Sequence, residues 1–183
     1  GQRRRAVERR HVDDPRNSRQ AWARARRDDD PFGGEALARD LDAAVNEAFD
    51  GLGATFEMLL SAFGRNSLDD AGAPLDATVH YGVDYDNAFW DGERMVFGDG
   101  DGEVFQHFTG SLTVIGHELA HGVVQHTANL EYQGQPGALN ESVADVFGAL
   151  TEQYALGQSA DQASWLIGAE IFTDAVEVSA LRS

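Results

Sequence analysis

Residues 116–123 read Gly116-His117-Glu118-Leu119-Ala120-His121-Gly122-Val123, inside a stretch, 111–127, where Leu112, Ile115, Leu119 and Val123 recur at three- and four-residue spacing. That period predicts an amphipathic helix. At 3.6 residues per turn, positions four apart point within about 40° of each other, so His117 and His121 leave the same face and can grip one ion. Glu118 lies about 100° round from His117, beside such an ion and within reach of a water bound to it.

Downstream, Gly134-Gln135-Pro136-Gly137 reads as a break, and residues 139–156 as a second helix with Leu139, Val143, Val146, Phe147 and Leu150 toward a core. Within it, Asn140-Glu141-Ser142-Val143-Ala144-Asp145 sets Glu141 and Asp145 four apart on one face. A catalytic zinc site takes three protein ligands and leaves a fourth position to water, so Glu141 is the candidate third ligand beside His117 and His121. Asp145 is the candidate acceptor for the second ring N–H of His117 or His121, which would set that ring's tautomer, and Asn140 is grouped with it as an outer partner. Alone, a five-residue His-Glu-x-x-His match arises by chance on ordinary helices, and Glu141 with Asp145 reads as a solvated acidic face. The apolar row beside them brings the carboxylates to the core boundary, where an unpaired charge is costly, and this favours the metal reading.

Composition narrows the chemistry further. The chain of 183 residues has 42% hydrophobic content, enough for a packed domain, and no Cys, so a metal must be held by His, Asp or Glu. The net charge is −17, yet ten of the fourteen basic residues, all Arg, lie in residues 1–30. An acidic body repels phosphate, which argues against nucleic acid as the partner; the basic arm reads as a solvated lead-in. No run approaches the roughly 20 apolar residues of a membrane-spanning helix, so no membrane partner is expected.

The remaining chain reads as α+β. Residues 1–34 mix Arg with Asp and end in a turn at Pro31-Phe32-Gly33-Gly34, an arm or pro-segment remnant ahead of the folded core. Residues 35–63 carry helical spacing that Gly51 and Gly53 could kink or split. Residues 77–83 predict a strand, and Asp91-Gly92 between aromatic and β-branched residues predicts a hairpin. The turn at 98–102 is similar to part of a calcium loop but has Val104 where the glycine should stand. A third late helix is expected at 162–172. The expected organisation is an arm at 1–34, an N-terminal α+β lobe at 35–137 including the zinc-binding helix, and the incomplete start of a helical C-terminal lobe at 138–183.

The motifs resemble those of the thermolysin-like zinc metalloendopeptidases. The matching segments are His80-Tyr81-Gly82, Asn87-Ala88-Phe89-Trp90, the run from Met95 to Gly102, Gly116 to Val123, and Gly137 to Gly148. The resemblance implies a lobe of twisted, mostly antiparallel sheet with helices, a central zinc-binding helix and a helical C-terminal lobe. It implies zinc held by His117, His121 and Glu141, Glu118 as general base for a zinc-activated water, and polypeptide substrates. Tyr132 would stabilise the oxyanion and Arg182 would contact a substrate carbonyl. Asn87 and the Ala88 backbone would bind the substrate main chain, and Leu181, Val114 and Phe105 would line an apolar pocket. Such enzymes are generally secreted with a removable pro-segment, so an extracellular origin is expected.

Two departures from the family pattern stand out. A further His expected from the C-terminal lobe is missing, so the chain reads as a truncated or nicked piece, weakly active or inactive alone. Thr113, Ser164, Leu166 and Ala169 also occupy positions that are acidic in calcium-rich members, leaving Glu152, so the paired-calcium site reads as largely lost. The competing reading is a non-catalytic zinc-binding or interaction domain; Glu118 counts against it, because zinc binding alone does not require that carboxylate.

Overall fold

Five short strands form the sheet, and among the described residues three long helices pack around it. A computed structural model describes residues 42–176, together with the backbone of two short strands at 5–6 and 21–26. Leu181 and Arg182 therefore lie outside the described residues, as does most of the segment 1–34. The strands are β1 (Arg5–Ala6), β2 (Ala21–Arg26), β3 (Leu75–Val79), β4 (Ala88–Trp90) and β5 (Met95–Phe97), in the order β1-β2-β3-β5-β4. Three of the four pairings are antiparallel and β3 runs parallel to β5, giving the mostly antiparallel sheet expected. β1 and β2 come from the basic arm, so part of it is paired strand. β4 and β5 form the Asp91-Gly92 hairpin, with Phe89 opposite Val96, and leave β4 at the sheet edge.

β3 ends at Val79, short of the predicted residue 83, because His80 turns to φ 57°. Its ring ties three elements together: Nε2 sits 2.8 Å from Asp42 Oδ2 and Nδ1 2.8 Å from Asp99 Oδ1. Asp42 also caps helix α1 (Ala43–Phe63), its Oδ1 accepting the N–H groups of Ala44 and Val45. Burial works against the charged ring, but the hydrogen bonds to Asp42 and Asp99 prevail and raise its pKa. The clamp therefore contributes most below about pH 6.5 and fades as pH rises through the raised value. Asp99 and Asp101 are both engaged, Asp101 by the N–H groups of Glu103, Val104 and Phe105, so the 98–102 turn is sealed by protein donors.

Helix α1 is not split at Gly51 and Gly53. Gly51 instead lies where Ile115 of helix α2 (Leu112–Gln125) presses against α1 with no room for a side chain. Helix α3 (Gly134–Leu156) begins five residues before the predicted start, so Gly134-Gln135-Pro136-Gly137 is its first turn rather than a break. The physical reason is that the first N–H groups of a helix have no intrahelical acceptor, so Pro136 loses nothing there.

The buried face of α3 also differs from the predicted apolar row. Leu139 and Val146 are 53% and 49% exposed, whereas Gly137, Asn140, Ala144, Gly148 and Thr151 face inward. Small residues win because α2 and α3 touch almost backbone to backbone. A methyl at Gly148 would fall 2.5 Å from the Thr113 carbonyl oxygen, and one at Gly116 2.6 Å from Thr151 Oγ1.

No helix forms at 162–172. The segment is turns ending in a one-turn 3-10 helix at Ala169–Ile171. Trp165 and Gly168 take positive φ of 55° and 69°, and the chain then pairs with residues 104–106. The Gln106 N–H donates to Ile171 O, its amide donates to Glu170 O and Phe172 O, and Phe105 bridges Phe172. These long-range bonds outweigh the weak helical periodicity. Among the described residues, no helix is long and apolar enough to cross a membrane.

Gly148→Ala should lower stability by about 1–3 kcal/mol in urea unfolding, because the Thr113 carbonyl cannot retreat without parting the helices. Helix propensity alone predicts a gain of about 1 kcal/mol instead, and observing that gain would refute the tight crossing.

Candidate metal centre

The α2–α3 crossing sets the ligands. Gly116 and Gly148 let the axes approach, His117 follows Gly116 directly, and Glu141 stands two turns before Gly148 on the same side. His117 Nε2 lies 3.2 Å from His121 Nε2 and 3.3 Å from Glu141 Oε2, and His121 Nε2 lies 3.6 Å from Glu141 Oε1. Among the described residues this is the group of three or more His, Cys, Asp or Glu side chains that could hold a metal ion. Ligand atoms at tetrahedral angles about 2.1 Å from a zinc ion are about 3.4 Å apart, so the triangle fits zinc closely.

The opposite ring nitrogens are anchored. His117 Nδ1 is 2.9 Å from Asp145 Oδ1, and His121 Nδ1 is 2.9 Å from Asn140 Oδ1. Both partners accept, so each Nδ1 carries the proton and each Nε2 turns a lone pair toward the common point. The two lone pairs 3.2 Å apart repel unless a cation sits between them. Burial first, then the neighbouring His121, holds His117 below the usual imidazole range despite the carboxylates of Asp145 and Glu141. His117 is thus neutral at pH 7, the form a metal requires. Where the sequence allowed Asp145 to serve either ring, the fold gives it His117 and gives His121 to Asn140.

Glu118 stands beside the triangle without joining it. Its Oε2 accepts the Trp90 N–H at 3.1 Å, which fixes the carboxylate against β4. Burial pushes its pKa up to about 8; the Trp90 hydrogen bond opposes this and the charge of Glu141 adds to it. A divalent cation in the triangle would pull that value down.

These groups open into a cavity of about 710 Å³. Asn87 and the edge-strand residues Ala88, Phe89 and Trp90 form one wall, and His117, Glu118 and His121 form the floor. Tyr132 also lines the cavity, 67% exposed, its ring edge-on to His121 at a centroid distance of 5.7 Å. Val114 and Phe105 do not line this cavity. Val114 is buried beneath Gly168, and Phe105 packs between Phe108 and Phe172, with centroids 5.7 and 5.2 Å away. Leu181, the third residue of the expected apolar pocket, lies outside the described residues. Sequence reading gave no role to Gln125, Asn129 and Leu130, which also line the cavity, and could not foresee the Trp90 N–H, because a backbone donor leaves no mark in a sequence.

Fold and site together define a candidate His-His-Glu metal site on an α+β scaffold, with the half-buried Glu118 carboxylate held by the Trp90 N–H at its rim. The sequence profile of the thermolysin metallopeptidase catalytic domain matches residues 4–125, and that of the thermolysin metallopeptidase alpha-helical domain matches residues 128–183. The chain belongs to the thermolysin metallopeptidase family. It is 55% identical over 142 residues to an extracellular metalloprotease of Pectobacterium carotovorum subsp. carotovorum, covering 78% of this chain and 41% of that protein. It is 48% identical to a bacillolysin of Bacillus cereus, covering 78% and 24% respectively. The solved precursor of protealysin, a metalloproteinase from Serratia proteamaculans, matches with a TM-score of 0.76 at 53% identity, over 78% of this chain and 44% of that one. The chain thus spans less than half the length of these relatives.

Replacing Asn140 with Leu, or Asp145 with Ala, should weaken zinc binding roughly tenfold to a hundredfold by freeing one imidazole to rotate. Competition titration with a chromogenic chelator measures this, and unchanged affinity in both variants would show that the rings need no anchoring.

Proposed function

We propose that this chain forms the catalytic half of a secreted zinc endopeptidase that hydrolyses peptide bonds in polypeptide substrates. One observation carries the reading: three ligand atoms converge at tetrahedral spacing while a second glutamate, Glu118, is held beside them by Trp90 rather than spent as a ligand. A site for metal storage or structure has no use for that carboxylate.

His117, His121 and Glu141 would hold the ion. Zinc bound there supplies a nucleophile at neutral pH and polarises the scissile carbonyl. Glu118 takes the proton of the attacking water and later returns it to the departing amine. Its buried setting and Trp90 anchor suit a group that must both gain and release a proton near neutral pH. Tyr132, whose ring lies edge-on to His121, donates its phenol O–H to the oxyanion. β4 is an edge strand, so an extended peptide can lie along it as an added strand, guided by Asn87 and the Ala88 backbone. Arg182 and Leu181 keep the roles of carbonyl contact and pocket wall that the family pattern suggests. Extracellular export follows the naming of the Pectobacterium relative.

Calcium is replaced, in this reading, by hydroxyl groups. Ser111 Oγ joins Glu170 Oε2 at 2.7 Å and Thr113 Oγ1 at 2.9 Å, Thr113 Oγ1 accepts the Gly168 N–H at 2.8 Å, and Ser164 donates to Glu152 at 3.1 Å. These bonds tie α2 and α3 to the segment at 164–170 without an ion. The thermal midpoint should move little when micromolar calcium replaces a chelator; a strong rise would show that an ion site persists.

Glu118→Gln is the direct test. Zinc content and fold should be retained while peptide turnover falls by about a hundredfold or more. Undiminished turnover would remove Glu118 from the mechanism, and loss of zinc would make it a ligand.

A further inference from the structure

Three residues of α2, Glu118, Gly122 and Gln125, stand at i, i+4 and i+7 and form one stripe along the helix. All three meet the β4–β5 hairpin at one residue, Trp90. Glu118 Oε2 accepts the Trp90 backbone N–H at 3.1 Å. Gly122 supplies a flat seat for the indole: a methyl there would fall 3.3 Å from Trp90 Cζ2 and 2.7 Å from Leu68 Cδ1. Gln125 closes the clasp, its Oε1 accepting the indole N–H at 2.8 Å and its Nε2 donating to the Gly92 carbonyl at 3.2 Å.

The partners call for a side chain at position 125 that both accepts and donates, and the amide of Gln125 does both. The indole N–H only donates and the Gly92 carbonyl only accepts, so the residue between them must offer one acceptor and one donor. A carboxylate satisfies the first and a cation the second. The hairpin it grips is itself rigid at the tip, where Asp91 Oδ1 accepts the N–H groups of Glu93 and Arg94 and Asp91 Oδ2 lies 3.4 Å from Arg94 Nε. A pull on Trp90 and Gly92 therefore moves β4 as a unit.

We infer that Gln125 is a positioning residue that acts through Trp90: it sets the distance between the edge strand and α2 and thereby orients the Glu118 carboxylate. This rests on the proposed peptidase reading for its catalytic consequence, while the clasp itself is a matter of geometry. The side-chain hydrogen bonds of Gln125 go to Trp90 and Gly92 rather than to the metal ligands or the candidate base, so its removal should leave the metal triangle intact.

The test uses the whole 183-residue chain as wild type, Gln125→Met, Gln125→Glu and Trp90→Phe, the last to assign the Trp90 indole resonance. In Gln125→Met, which keeps the length and loses both bonds, Trp90 amide hydrogen exchange should quicken about tenfold or more and the indole N–H resonance should move. Zinc stoichiometry should be unchanged, and kcat on a peptide should fall about tenfold with KM within about twofold. Gln125→Glu should keep the indole resonance near its wild-type position, because the acceptor survives. Trp90 amide exchange within about twofold of wild type in Gln125→Met would overturn the clasp, as would loss of zinc in that variant. A wild type that binds no zinc would defeat the peptidase reading, while the amide-exchange comparison would still decide the role of Gln125.

Discussion

The near-contact of the α2 and α3 backbones at Gly116 and Gly148 is the constraint on which the site depends. Helices carrying ordinary side chains pack with axes about 8–10 Å apart. A methyl at either glycine collides with Thr113 or Thr151, and the separation that relieves the collision carries Glu141 away from the two imidazoles. The inward face of α3 is accordingly built of Gly137, Asn140, Ala144, Gly148 and Thr151. Tight apposition removes apolar volume from the crossing, and the core supplies it elsewhere through Leu52, Leu59, Met95, Phe97 and Leu119, all fully buried.

Once the helices are this close, electrostatics selects what the cleft can hold. His117 and His121 have their outer nitrogens committed to Asp145 and Asn140, which turns two lone pairs and a carboxylate oxygen toward one point. Such a convergence is unfavourable in a half-buried setting unless a cation occupies it. Glu118 lies in the same field yet is bonded to a backbone donor on the sheet, so its proton affinity is governed by burial and by whatever charge sits in the triangle. One carboxylate faces the two imidazoles and the other is bonded to the strand.

The remainder of the fold holds these two helices against the sheet. α1 meets α2 at Gly51 and Ile115, while Asp42 both caps α1 and binds His80 at the end of β3. Behind the site, Thr113 and Ser111 anchor the segment at 168–170 through hydroxyl groups. In front, the Trp90 seat on Gly122 fixes the edge strand that walls the cavity. Most of these attachments join elements distant in sequence, some through polar side chains and some through close packing at a glycine.

The local periodicities determined the helices around 43–63, 112–125 and 139–156, the hairpin at Asp91-Gly92, and the presence of two His and two acidic residues at helical spacing. Those features depend on neighbours within a turn or two, so the residues alone carry them. Wherever long-range packing outweighed local preference, the reading failed. Pro136 entered a helix because the first turn needs no donor, Leu139 and Val146 stayed outside because small residues won the interface, and 162–172 bonded to 104–106 in place of coiling. Which ring Asp145 serves, what holds Glu118 and how far β4 stands from α2 were likewise settled only by the tertiary structure. Their partners are a distant helix and a backbone N–H, and no side-chain pattern in a sequence records where a backbone donor will be brought.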